Sequence, residues 1–163
     1  MFFWFLSVYN IGGMMYSLAE IENGVLRGNS NKPFGTSVFD SQDPRLEYIV
    51  EGGEPRIHFA LVCGAKSCPP IKLFDAANVD EALNAATKAF LEEDVQVDMR
   101  TRTVVLSKIL YWYKFDFGGD NTRLLQWIMP YLRDTVRSDV QRLLGDNDFT
   151  VRHRTYDWSQ NSA

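Results

Sequence analysis

Apolar residues recur along the chain at different spacings, and each spacing predicts a different kind of element. Leu18, Ile21, Val25 and Leu26 lie three and four positions apart, on one face of a helix. Ser17 and Glu20 stand where a reciprocal capping box would begin that helix and Gly28 where it would stop, so a short helix is expected over about 18–27. Residues 28–44 are dense in turn formers and read as a long loop. Ile57–Cys63 is a short β-favouring apolar run, bracketed by Gly-Gly-Glu-Pro and Gly64, which predicts a buried strand.

The second half of the chain carries stronger periodicity. Asn78 and Glu81 repeat the capping pattern, and Val79, Leu83, Ala86, Phe90 and Leu91 form an apolar stripe that predicts a helix ending near Glu92. Val95, Val97 and Met99 alternate with Gln96, Asp98 and Arg100, and Thr103–Leu106 follow a polar pair, the pattern of a β-hairpin. Ser107 can cap a helix through Ile109, Leu110, Trp112 and Tyr113, which Phe117, Gly118 and Gly119 end. Asp120 or Asn121 caps the next, and Pro130, with no N–H to donate, forces a kink or restart before Val136, Val140, Leu143 and Leu144. Phe149, Val151 and His153 then share one face of a terminal strand. This order predicts a single α+β domain over residues 1–163, with a small, mainly antiparallel sheet that includes the hairpin and is packed by several helices.

Composition narrows the function classes. With 17 basic against 21 acidic residues and no Lys/Arg run, the chain lacks the electrostatic footprint of a nucleic-acid binder. Two cysteines are too few for a disulfide-stapled secreted scaffold, so a reducing, cytoplasmic setting is expected. The opening MFFWFLSVYN is apolar but has no basic lead-in, and Asn10, Gly12 and Gly13 interrupt it well short of a membrane span of about 20 residues. It reads as core sequence, and its abrupt start implies that Met1 is not the natural beginning of the fold.

Chemistry-bearing residues concentrate between His58 and Pro70, where both cysteines and one of the two histidines occur. A zinc site is not expected, because a strand over 57–63 would point His58 and Cys63 to opposite faces and leave too few ligands together. Gly12-Gly13 and Gly52-Gly53 lack the spacing of a phosphate loop, so no nucleotide cofactor is expected either. Cys63, at the end of a buried strand, reads as a small hydrophobe. Cys68 is the stronger nucleophile candidate, since Lys66 stands two residues away and a neighbouring cation lowers a thiol pKa. His58 is the candidate base and His153 the alternative, with Asp157 able to orient an imidazole. Against this, Pro69-Pro70 denies Cys68 a helix N-terminus, and a histidine in an apolar strand is commonly a core group.

The runs Tyr9-Asn-Ile-Gly-Gly13, Leu26-Arg27, Asp43-Pro-Arg45, His58-Phe-Ala-Leu61, Cys63-Gly-Ala-Lys-Ser-Cys-Pro-Pro70, Leu106-Ser-Lys108, Trp112-Tyr113 and Tyr156-Asp-Trp-Ser159 resemble the family called domain of unknown function 547. The resemblance extends from about residue 9 to 161. It implies an intracellular module of larger proteins and brings no established activity. Similar members stand beside leucine-zipper, DEP or glutaredoxin segments, but a redox role borrowed from such a neighbour does not carry over to a chain with no CxxC motif. The family's N-terminal helix has no counterpart here, so the chain reads as an incomplete member. The sequence therefore favours a non-catalytic protein-interaction module, with Lys66, Arg27 and Asp157 as binding candidates and other proteins as partners. The alternative is a cysteine-dependent hydrolase or transferase that uses Cys68 and His58.

Overall fold

A computed structural model describes residues 6–30 and 37–161. The fold is α+β, with two small sheets and helices between them in sequence. The chain divides into two compact units, Met1–Pro55 and Arg56–Ala163. No helix among the described residues is long and apolar enough to cross a membrane.

In the first unit, β1 (Val8–Ile11) and β2 (Met14–Ser17) pair antiparallel across Gly12-Gly13. Phe2–Phe5 lie outside the described residues, but Leu6, Val8, Tyr9 and Ile11 are exposed, so this part of the opening run is not core. The capping box forms as expected: the Ser17 amide and hydroxyl both donate to Glu20, and the Glu20 amide donates to Ser17 Oγ. The helix that follows has wide π-type turns over Glu20–Leu26. Gly24 explains the fit, because a Cβ there would lie 2.4 Å from the Phe39 ring. Asn29 fixes that ring in place, donating to the Phe39 carbonyl and accepting from its amide at 2.9 Å each. Arg45, at the start of a 3-10 turn over Pro44–Tyr48, donates to Glu20 and Asp43 and covers the Phe39 ring at 4.3 Å.

In the second unit, α1 (Val79–Asp94) matches its predicted stripe, with Leu83, Ala86 and Leu91 buried. Asn78 makes no side-chain cap, because its backbone is not extended and only its carbonyl accepts from Ala82. The hairpin forms from β3 (Gln96–Asp98) and β4 (Thr103–Leu106). Ser107 caps α2 (Lys108–Trp112), and Asp120 caps α3 (Asn121–Ile128). Pro130 sits in a 3-10 turn over Met129–Tyr131 before α4 (Asp134–Asp146). The terminal strand β5 (Thr150–His153) lies parallel to β4 on the side away from β3, giving the order β3-β4-β5. Val104 and Leu106 of the central strand are completely buried with Leu110, Leu124, Ile128 and Leu143.

The expected strand over 57–63 is absent. Pro55–Phe59 is a 3-10 turn, and the amides of Ala60 and Leu61 both return to the Ile57 carbonyl. Ile57, His58 and Phe59 are buried all the same. A short apolar run reports burial rather than backbone type, and here a proline at the first helical position decided the local geometry.

One buried carboxylate ties this unit together. Asp94, at the end of α1, accepts from the Ser107 amide at 2.6 Å and from the Arg154 guanidinium at 2.6 Å, joining α1, the start of α2 and the end of β5. Burial pushes its carboxyl above the ordinary value despite Arg154 and the Ser107 amide. Asp94→Ala would leave the buried Ser107 N–H without its acceptor and the partly buried Arg154 guanidinium with only the backbone carbonyl of residue 94. It should cost about 2–3 kcal/mol, read as a lower urea midpoint with an unchanged slope.

Candidate functional site

The loop from Cys63 to Cys68 turns sharply at Gly64, whose φ of +81° lies in the left-handed region that glycine adopts without strain. That turn brings the two sulfurs to 3.0 Å, and the Cys63 amide donates to Cys68 Sγ at 3.2 Å. No helix starts at Cys68, in keeping with Pro69-Pro70, and the chain stays irregular until α1.

A second segment completes the site. The Lys66 amide donates to the Ser159 carbonyl at 2.8 Å, the Ser67 amide to that of Asp157 at 3.3 Å and the Asn161 amide to that of Gly64 at 2.9 Å. The Asp157 amide returns a bond to Ser67 Oγ, and Ala65 bridges Gln160 in antiparallel fashion. These bonds set Tyr156 over the thiols, its hydroxyl 3.2 Å from Cys68 Sγ and 3.7 Å from Cys63 Sγ. Trp112 and Trp158 flank the Tyr156 ring at 4.9 and 4.5 Å. Asp157 accepts from the amide and hydroxyl of Ser159, and these bonds hold its carboxyl below the ordinary value. Its contacts are thus those of a turn-forming residue.

Burial acts to raise the half-buried Cys68 thiol, but hydrogen bonds from Cys63, Tyr156 and the loop amides bring it below the ordinary value. The lowering thus comes from these hydrogen-bond donors. Burial and the contacts with both thiols raise Tyr156, which therefore keeps its proton and can donate it.

Among the described residues, neither candidate base is hydrogen-bonded to a thiol. His58 is buried, its Nε2 2.7 Å from Asp116 Oδ2 and its ring stacked on Tyr113 at 3.8 Å. The alternation argument that separated it from Cys63 fell with the strand, yet Cys63 is bonded to Cys68 and Tyr156, not to an imidazole. His153 ends β5 edge-on to Tyr111, with a buried Nε2 that has no hydrogen-bond partner among the described residues. Burial, followed by Lys108 and Lys114, lowers its pKa. Arg27 is buried within the first unit, donating to Asn23. Among the described residues, no group of three or more His, Cys, Asp or Glu is placed to hold a metal ion.

Sequence reasoning singled out Cys68 and Lys66, but it did not pair Cys68 with Cys63 or Tyr156. Tyr156 is 88 residues from Cys68, so no local spacing could have paired them. Tyr156→Phe should move the alkylation profile of Cys68 to higher pH, because the thiolate loses a donor while its burial remains. Site-resolved iodoacetamide labelling checks this, and an unchanged profile would mean that the hydroxyl does not act on the sulfur.

A family model described as Protein of unknown function, DUF547, matches residues 2–91 of the chain. No curated protein and no solved structure matches it. The matched span includes His58 and the whole Cys63–Pro70 run, whereas Tyr156–Ser159 lies beyond it. Since the match takes in more than half of the 163 residues, the chain belongs to the DUF547 family of proteins of unknown function.

Proposed function

We propose that the domain works through its thiols, as a thiol–disulfide exchange module. The observation that carries this reading is the 3.0 Å separation of the Cys63 and Cys68 sulfurs, about one ångström longer than a disulfide bond. The lowered Cys68 pKa and the adjacent tyrosine hydroxyl support it.

In the exchange, the Cys68 thiolate attacks one sulfur of a disulfide R–S–S–R. The old S–S bond breaks, a mixed disulfide forms on Cys68, and the departing RS⁻ takes up a proton. Cys63, losing its own proton, attacks Cys68 Sγ and releases the second RSH. The protein pair is oxidised by two electrons and the small disulfide is reduced to two thiols. Attack on an acyl group is less well served, since the hydrogen bonds to Cys68 come from Cys63 and Tyr156 and none from an imidazole.

The interaction-module reading draws on Ile71 and Leu73, which are 83% and 97% exposed in the irregular stretch after Cys68. It requires no reactivity from the thiols. Equilibration in graded mixtures of reduced and oxidised dithiothreitol, followed by peptide mapping, separates the two. Exchange predicts a reversible Cys63–Cys68 bond, and Cys63→Ser should instead trap a mixed disulfide on Cys68 when a small monothiol disulfide is supplied. Thiols that stay reduced in the oxidising mixtures would favour the interaction module.

A further inference from the structure

Cys68 also lines a hollow of about 380 Å³, within the size range of small-molecule sites. Its floor comes from α1, where Ala86 and Ala89 present only methyl groups and Phe90 adds an apolar wall. Lys66 and Lys72 line it from the same irregular stretch as Cys68, and Glu93 and Asp94 of α1 and Arg154 complete the lining.

The charges within it do not cancel evenly. Asp94 and Arg154 neutralise each other through their 2.6 Å pair. The remaining charged lining groups are Lys66 and Lys72 against Glu93, an excess of one positive charge, and both lysines share the irregular stretch with Cys68. Lys66 also acts on Asp157, whose carboxylate is occupied with Ser159 and does not line the hollow. Ammonium groups next to an apolar floor suit a short aliphatic chain that ends in a carboxylate.

We propose that this hollow seats the disulfide that Cys68 attacks, and that it selects small disulfides bearing a carboxylate on each half. The inference rests on the exchange reading above and adds the class of substrate to it. Lys66 and Lys72 hold the carboxylate, Phe90 and the two alanines receive the methylenes, and the S–S bond is left facing Cys68.

The test follows the oxidation rate of the fully reduced chain by dithiodiglycolate, hydroxyethyl disulfide and cystamine, which are anionic, neutral and cationic. Each rate is divided by that of a free monothiol with the same disulfide at the same pH, which removes differences in leaving-group chemistry. At low salt the normalised rates should fall in the order anionic, neutral, cationic, with about tenfold between the extremes. Added salt should compress the series. Lys66→Glu combined with Lys72→Glu should invert it while the thermal transition stays in place, since Lys66 is exposed and neither lysine is in the core. Equal normalised rates, or a preference for cystamine in the unaltered chain, would overturn the substrate assignment and leave the exchange chemistry standing. Failure of all three disulfides to oxidise the pair would sink both.

Discussion

The parallel pairing of β5 on β4 is the contact on which the site depends. It places Val151 beside Val104 and His153 beside Leu106, and the Arg154 amide extends the register by donating to the Leu106 carbonyl. A strand pinned this way fixes where residues 154–161 leave the sheet. Arg154 meets Asp94 at the exit, and two residues later Tyr156 stands over the thiols. The backbone bonds between 64–67 and 157–161 then close the arrangement. A slip of one residue in β5 would send alternate side chains to the other face and remove Tyr156 from the sulfurs.

The electrostatics of the site follow from what surrounds the sulfur. Thiol enzymes that cleave acyl bonds commonly hold the thiolate beside an imidazolium, which also protonates the leaving group. Here a second thiol, a phenol that keeps its proton and two amides act on Cys68 instead. These donors favour the thiolate, and none of them is an imidazolium that would protonate a strongly basic leaving group. Disulfide exchange has milder needs, because a departing thiolate is a good leaving group near neutral pH.

The first unit is organised around Arg45, whose guanidinium meets Glu20, Asp43, the Met15 carbonyl and the face of Phe39. Burial acts against ionised Glu20, yet its bonds with Ser17 and Arg45 keep it below the ordinary value. The capping box and the ion pair thus share one carboxylate, which links the start of the helix to the turn at Pro44.

Much of the fold was legible because its signals are local. The capping residues Ser17, Ser107 and Asp120, the stripe of α1, the hairpin and the restart at Pro130 all follow from side chains a few positions apart, and each appears where the spacing put it. The sequence also identified the family to which the chain belongs. It misread Ile57–Cys63, because an apolar run of that length is compatible with any buried backbone. The tertiary structure alone decided that His58 pairs with Asp116, that Cys63 is the partner of Cys68, and that Tyr156 covers both. The relations among Cys63, Cys68 and Tyr156 depend on a tight glycine turn and on a parallel strand register between distant segments, and neither leaves a periodic trace in the order of residues.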